Sequence, residues 1–277
     1  MNLVELVAID IDRTTLTADF RLLPSVVEAV RRARESGIAV IPATARSPEE
    51  LMPVAEALGL ESCCVCLNGA WAGPLDRDAP LLQRTMDPEA TRELIREAEN
   101  AGLNPLWFSP DNAYALSIGD MVQRHFNAVG LVPYILNSLD GPLAPILKIL
   151  CLENPARGTQ IQGIRDTFGT RFEFARSDRY LVEVTAAGVS KKSAVESVAT
   201  QFGVQQAEVA AIGDSENDLE MIAWANLGIA VSNAESSVLE VADWITASND
   251  EGGVATALDR IMEANAASIR NAGAIPA

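Results

Sequence analysis

Asp10-Ile11-Asp12 and Asp214-Ser215-Glu216-Asn217-Asp218 place carboxylates directly behind two short apolar runs, 6–9 and 209–212. Acids at the exit of a buried strand do little for folding, because an ionised group taken out of water is costly unless it is paired. They are well suited to holding a hard divalent cation and to attacking phosphorus. Asp10 and Asp12 are two residues apart, so an extended backbone aims both to the same side. Side by side they repel. A bound cation relieves the repulsion, leaving one acid free as nucleophile and the other free to move a proton. Capping of the next turn by either residue competes with that chemistry. Asp214, at the second strand exit, can complete a magnesium site. Asn217 and Asp218 open the following helix, where a turn-and-cap role competes.

If the two runs are neighbours in one parallel sheet, these acids meet at its carboxyl edge, where open α/β sheets bind ligands. Thr44 closes a third apolar run, 38–43. Its hydroxyl can donate to a phosphate oxygen beside the amides of the next helix. It can equally cap that helix, although Ser47-Pro48-Glu49-Glu50 supplies a better cap, with Glu50 as the capping-box acid. Lys191 and Lys192 are two of three lysines, the third being Lys148, against eighteen arginines. A basic pair at a helix start opposes the helix dipole, which favours a role in offsetting negative charge on phosphate and carboxylates.

The rest of the composition narrows the field. The 277 residues carry a net charge of −17, which disfavours nucleic acid and anionic membranes as partners. No apolar run approaches the roughly 20 residues of a membrane span, and Met1-Asn2-Leu3-Val4-Glu5 lacks a basic leader. Cys63, Cys64, Cys66 and Cys151 read as buried free thiols, with Cys64 and Cys66 on one strand face and Cys63 on the other. Free thiols and no export signal point to the cytoplasm. The single histidine, His125, lies mid-helix and leaves hydroxyls, carboxylates and lysine to carry any chemistry.

These residues need a scaffold. Strands over 3–9, 38–43 and 63–67 alternate with helices over 24–36 and 47–58, each opened by a proline where a first turn tolerates one. Residues 73–80 read as a linker. Beyond them come helices over 88–101, 120–129 and 159–168, strands near 105–108, 114–117 and 145–152, and a hairpin of 171–175 with 180–185. After a return linker at 186–188 the α/β rhythm resumes with strands over 209–212, 228–231 and 244–246. Residues 264–277 read as a frayed tail. The expected fold is a doubly wound, Rossmann-like parallel-sheet core (1–80 and 187–277) interrupted by an α+β cap (81–186).

The order of these features resembles the haloacid dehalogenase superfamily, and within it the Cof-type phosphatases with a large α/β cap after the third core strand. The resemblance is densest over 7–69 and 187–255. It includes Leu67-Asn68-Gly69-Ala70, Gly188-Val189-Ser190-Lys191, Gly213-Asp214-Ser215-Glu216-Asn217-Asp218 and Leu227-Gly228-Ile229-Ala230. It implies that Asp10 is the nucleophile forming an aspartyl-phosphate, and that Asp12 is the acid/base. Thr44 and Lys191 would hold phosphoryl oxygens, Lys191 rather than Lys192 because it follows Gly188-Val189-Ser190. Mg2+ would be held by Asp10, the backbone carbonyl of Asp12, and Asp214. Asp218 would support the site, and Asn217 would touch substrate or phosphate. Three positions depart from the family pattern: Arg13 replaces a usual glycine, Thr15 a usual leucine, and Ala45 the glycine of a Thr-Gly-Arg. The implied activity is that of a magnesium-dependent phosphomonoesterase acting on a small cytoplasmic metabolite, a sugar phosphate or phosphorylated cofactor. The alternatives are a ligand-binding or regulatory protein with weakened catalysis, and a phosphomutase. Oligomeric state is not legible.

Overall fold

The computed structural model describes residues 3–76, 79–120, 122–123, 132–141, 143–154 and 160–273. His125, most of the helix expected over 120–129 and the start of the one expected over 159–168 lie outside the described residues. The strands, in chain order, are β1 (Leu6–Ile9), β2 (Ala39–Pro42), β3 (Cys64–Cys66), β4 (Trp71–Gly73), β5 (Leu82–Gln83), β6 (Leu106–Phe108), β7 (Ala113–Ala115), β8 (Tyr134–Ile135), β9 (Lys148–Leu152), β10 (Phe172–Asp178), β11 (Leu181–Ala186), β12 (Val209–Gly213), β13 (Leu227–Val231) and β14 (Trp244–Thr246).

Five parallel strands form the central sheet in the order β14-β13-β12-β1-β2. Every residue of β1 is buried, as a short continuous apolar run predicts for a strand covered on both faces. Val7 and Ile9 pack with Val26, Val30 and Leu258, from the helices Pro24–Glu35 and Gly253–Gly273. Leu6 and Ala8 pack on the other face with Val195 and Ile222, from the helices Lys191–Phe202 and Leu219–Trp224. This is the doubly wound α/β core. β1 lies between β12 and β2, with Ile9 opposite Ile212 and Pro42. The strand exits bearing Asp10, Thr44 and Asp214 are therefore adjacent.

A second sheet, β10-β11-β9-β6-β7-β8, is antiparallel except for the pair β7–β8. Its pleat sorts side chains by alternation. Trp107, Ile149, Cys151, Val182 and Val184 join a cluster with Leu94 and Ile164, from the helices Pro88–Asn100 and Ile161–Phe168. Phe108 and Leu150 face the other way, into a cluster shared with Ile11, Leu16 and Trp71 of the central unit.

Several sequence expectations change. The strand over 63–67 is not a full member of the central sheet: β3 touches β2 through one parallel bridge, Ala43–Val65, and pairs antiparallel with β4. Leu67, Asn68 and Gly69 all take positive φ, which reverses the chain there. A Cβ on Gly69 would lie 2.1 Å from the carbonyl oxygen of Ser190, so only glycine lets this turn reach the helix that carries Lys191. The stretch read as a linker is partly anchored, since Gly73 ends β4 and Leu75 is buried. β10 runs on to Asp178 through an irregularity between Arg176 and Asp178, rather than stopping at 175. The tail expected to fray from 264 is helical to Gly273, because Asn265 ties both the N–H and the C=O of Val4 at 2.9 and 2.8 Å. All four cysteines are buried and free, and Cys64 and Cys66 share a cluster that excludes Cys63, as alternation predicts.

Candidate active site

Asp10 leaves β1 with its N–H donating to Ile212 of β12 at 2.9 Å. Its carboxylate is buried and accepts from the Lys191 ammonium at 2.6 Å. Lys191, itself only 1% exposed, also donates to Asp218 at 2.7 Å. It is the first residue of its helix, whose cap is Ser190. The unfavourable helix dipole at that end is thus outweighed by two carboxylates in contact. The other oxygen of Asp218 accepts from the N–H groups of Asp214 and Ser215 at 3.1 and 3.2 Å. Asp218 can approach so closely because Gly213 has no side chain: a Cβ there would lie 2.5 Å from the Asp218 carboxyl carbon. Asp214 accepts from the hydroxyls of Thr14 and Ser215, each at 2.9 Å.

One lysine does not balance three buried acids. Burial pushes Asp10 well above the usual carboxylate range, and Asp218, Asp214 and Asp12 add to the rise that Lys191 opposes. Burial, then the charge of Asp218, pushes Asp214 up to about 6. Burial works against the charge of Lys191, but Asp10 and Asp218 together raise it above the usual lysine value. Among the described residues, carboxylate oxygens of Asp10, Asp214 and Asp218 lie within 4.8 Å of one another. An all-oxygen set with surplus negative charge fits a hard cation such as Mg2+. The side chain of Asp12 is not in this set.

Asp12 is instead held by the fork of Arg46, at 2.6 and 2.9 Å from its two oxygens. Asp10 and Asp12 both line the same cavity, as the two-residue spacing predicts, but have different partners. Thr44 also lines it; its N–H donates to Val65 and its hydroxyl oxygen accepts from the N–H of Arg46 at 3.2 Å. The helix cap next door is Ser47, with Glu50 closing the capping box, as read from the sequence. Lys191 is not among the residues lining this cavity; it lies beneath Asp10 and borders a second, smaller crevice. Asn217 lines both and donates to Asn68 at 3.0 Å. Arg13 has φ 62°, the left-handed region that explains a usual glycine, and its Nε lies 3.7 Å from Asp214.

The cavity holds about 240 Å³ and is roofed by the second sheet. Phe108, Leu150 and Leu181 give it an apolar wall around a buried ion pair, Lys148 with Glu183. Lys148 donates to the carbonyl of Ala45 at 2.7 Å and stands over the Phe108 ring at 4.5 Å. Ser177 donates to one oxygen of Glu183 at 2.7 Å. The other lies 2.9 Å from Lys148, but at an angle that makes an ion pair without a hydrogen bond. Arg46, Lys148 and Glu183 are site residues that the sequence reading did not assign. Lys148 and Glu183 did carry a signal, since each interrupts an apolar strand run, Ile146-Leu147-Lys148-Ile149 and Leu181-Val182-Glu183-Val184.

A carboxylate–lysine–carboxylate bridge thus lies at the carboxyl edge of a parallel sheet, beneath a cavity roofed by an antiparallel one. The profile of the haloacid dehalogenase-like hydrolases matches residues 7–258, and the chain belongs to that family. The 5-amino-6-(5-phospho-D-ribitylamino)uracil phosphatase YcsE of Bacillus subtilis is 27% identical over 92% of this chain and 94% of its own. Phosphatase YwpJ of the same organism is 24% identical over 94% and 100%. A haloacid dehalogenase-like hydrolase from Bacteroides thetaiotaomicron superposes with a TM-score of 0.80 at 25% identity, covering 93% of this chain and 99% of that one. The chain is accordingly a haloacid dehalogenase-like hydrolase, and both of these curated relatives are named as phosphatases.

Proposed function

We propose that the protein is a magnesium-dependent phosphomonoesterase for a small phosphorylated metabolite, working through an aspartyl-phosphate on Asp10. The observation that carries this reading is the Lys191 ammonium bridging Asp10 and Asp218 at 2.6 and 2.7 Å directly beneath the cavity that Asp10 lines. Lys191 fixes one oxygen of Asp10 and leaves the other to attack. As the bond from Asp10 to phosphorus forms, the bond to the ester oxygen breaks, and Asp12, having exchanged one of its two Arg46 contacts for a proton, gives that proton to the ester oxygen. Asp12 then takes a proton from water, whose oxygen attacks phosphorus and frees Asp10 and inorganic phosphate. The Arg46 fork fixes the orientation of Asp12 against the cavity, and Thr44 offers its hydroxyl to a phosphoryl oxygen. Magnesium, held by Asp10, Asp214 and the backbone carbonyl of Asp12, would offset charge on phosphate and acids, with Asp218 supporting.

We read residues 81–186 as the cap and 1–80 with 187–277 as the catalytic core. The cavity of about 240 Å³ falls below the roughly 300–1,000 Å³ of drug-sized sites, which favours a small leaving group. Its mixed roof suits a sugar phosphate or a phosphorylated cofactor precursor such as the compound for which YcsE is named. Asn217, facing the cavity, is positioned to touch that substrate. A cytoplasmic metabolite is consistent with the free thiols; among the described residues no helix is long and apolar enough to cross a membrane. The test is release of phosphate from p-nitrophenyl phosphate and from a panel of phosphorylated metabolites. Turnover should require magnesium and vanish in Asp10→Asn; full activity in that variant would sink the mechanism.

A further inference from the structure

We propose that Arg13 is a built-in competitor for the metal site: its guanidinium is a resident counter-charge for Asp214, and a divalent cation must bind against it. The inference rests on the reading of Asp10, Asp214 and Asp218 as the magnesium site, and goes beyond it by assigning a role to a residue that contacts one ligand only.

Three observations converge. First, Arg13 holds φ 62°, a conformation that costs a side chain of this size about 1 kcal/mol or more. The surroundings enforce it. The Arg13 carbonyl accepts from Asn233 at 2.9 Å, and Asn233 in turn accepts from the N–H of Asn249 at 2.8 Å. Asn249 also donates to Leu16 at 3.0 Å, and Thr15 donates to the carbonyl of Asp10 at 2.5 Å. The turn is therefore fixed at both ends, and Arg13 has little freedom to relax. Second, the side chain is 42% exposed and lines the cavity, yet its Nε lies 3.7 Å from Asp214, which is 2% exposed. Third, the hydrogen-bond donors to the Asp214 carboxylate are Thr14 and Ser215, both neutral, while the charge of Asp218 opposes its own and that of Lys191 acts on it without contact. Lys191 is committed to Asp10 and Asp218. Arg13 is thus the cation in direct ionic contact with Asp214 among the described residues.

Repulsion between a single and a double positive charge within side-chain reach amounts to about tenfold in affinity even with water-like screening. The competition also has a direction. An anion entering the cavity offers Arg13 another partner, so its arrival releases Asp214 to the metal, and each ligand strengthens the other.

The test is calorimetric titration of the metal-stripped full chain with magnesium alone, then with magnesium in saturating inorganic phosphate. Arg13→Gln removes the charge and keeps a side chain at the left-handed position. Arg13→Gly removes both charge and strain, so it should fold at least as well as the parent. Both variants should bind magnesium about tenfold more tightly without phosphate, and phosphate should tighten binding less than it does in the parent. Thermal melting separates the variants, because Arg13→Gly alone should raise Tm. Equal magnesium affinity in all three proteins overturns the inference and leaves the proposed function standing. Tightening in Arg13→Gly only would assign the effect to backbone strain and likewise overturn it. Failure of all three to bind magnesium would bring down the metal reading itself, and the inference with it.

Discussion

Two buried lysine–carboxylate arrangements lie on opposite sides of one cavity, and they differ in how their charges balance. On the core floor Lys191 serves Asp10 and Asp218 while Asp214 lies in the same cluster. On the cap roof Lys148 meets Glu183 alone, each only 3% exposed. The floor carries surplus negative charge, and burial drives Asp10 and Asp214 upward because one ammonium cannot neutralise three acids. The roof is matched one to one, and the remaining contacts of Lys148 are a carbonyl and a ring face. Surplus charge suits a cation and an attacking group; matched charge suits positioning.

The largest expected effect breaks the comparison at its nucleophile. Asp10→Asn should cost on the order of 10⁴-fold or more in kcat, while Glu183→Gln on the roof should raise KM and leave kcat within about tenfold. Steady-state kinetics on one substrate decides it, and equal kcat losses would mean that the roof takes part in chemistry. Next come the lysines. Lys191→Met and Lys148→Met should each cost about 3–5 kcal/mol in urea unfolding, because each strands buried acid. The double replacement Lys148→Met with Glu183→Leu should recover most of the loss, since an apolar pair can replace a matched ion pair. Lys191→Met with Asp10→Leu should not, because Asp214 and Asp218 remain. Equal recovery would erase the distinction drawn between floor and roof.

The floor was legible in the sequence for a physical reason: its acids sit at strand exits, and parallel strands with apolar runs on both faces must be central. Asp10, Thr44 and Asp214 therefore converge as expected, and β1 does pair with β12. The Ser47–Glu50 capping box was equally legible because it is local. The roof was not. Lys148 and Glu183 meet because β9 and β11 are neighbours in one particular register, Leu150 opposite Glu183, which no local pattern specifies. The pairing of Asp12 with Arg46, 34 residues apart in sequence, is hidden for the same reason. The turn at Leu67-Asn68-Gly69 shows a third limit: it folds Trp71–Gly73 back on β3, so the stretch expected as a linker from 73 begins inside a strand.

A smaller effect sharpens the floor alone. The Asp214 carboxyl, about 6 in the folded protein, falls near 3.9 in an unfolded chain. Between those values the native state binds more protons than the unfolded one, so metal-free stability should fall as pH rises from about 4 to 6 and stay lower above that. The loss should be about 3 kcal/mol. Asp10 shifts in the same direction and adds to it. Urea unfolding in chelator at about pH 4.5, 5.5 and 7.5 should show this fall, flattened in Asp214→Asn and offset by added magnesium. A rise over that window relative to Asp214→Asn would contradict the surplus-charge account.

The smallest effect tests whether contact alone, without burial, matters. Arg165 of the cap sheet's outer helix reaches Glu216, in the loop between Asp214 and Asp218, at 3.4 Å, and both side chains are 38% exposed. It is a cation–carboxylate pair that, unlike the two lysine pairs, joins the two regions, and both partners remain in contact with water that screens them. Glu216→Gln should therefore shift unfolding free energy by less than about 1 kcal/mol, with the remainder fading as salt rises. Its kcat should stay within twofold or so of the parent, since the amide oxygen can still accept from Arg165. A loss approaching that of Lys148→Met would show that linking the two regions, and not excluding water from a charge pair, sets the weight of these contacts.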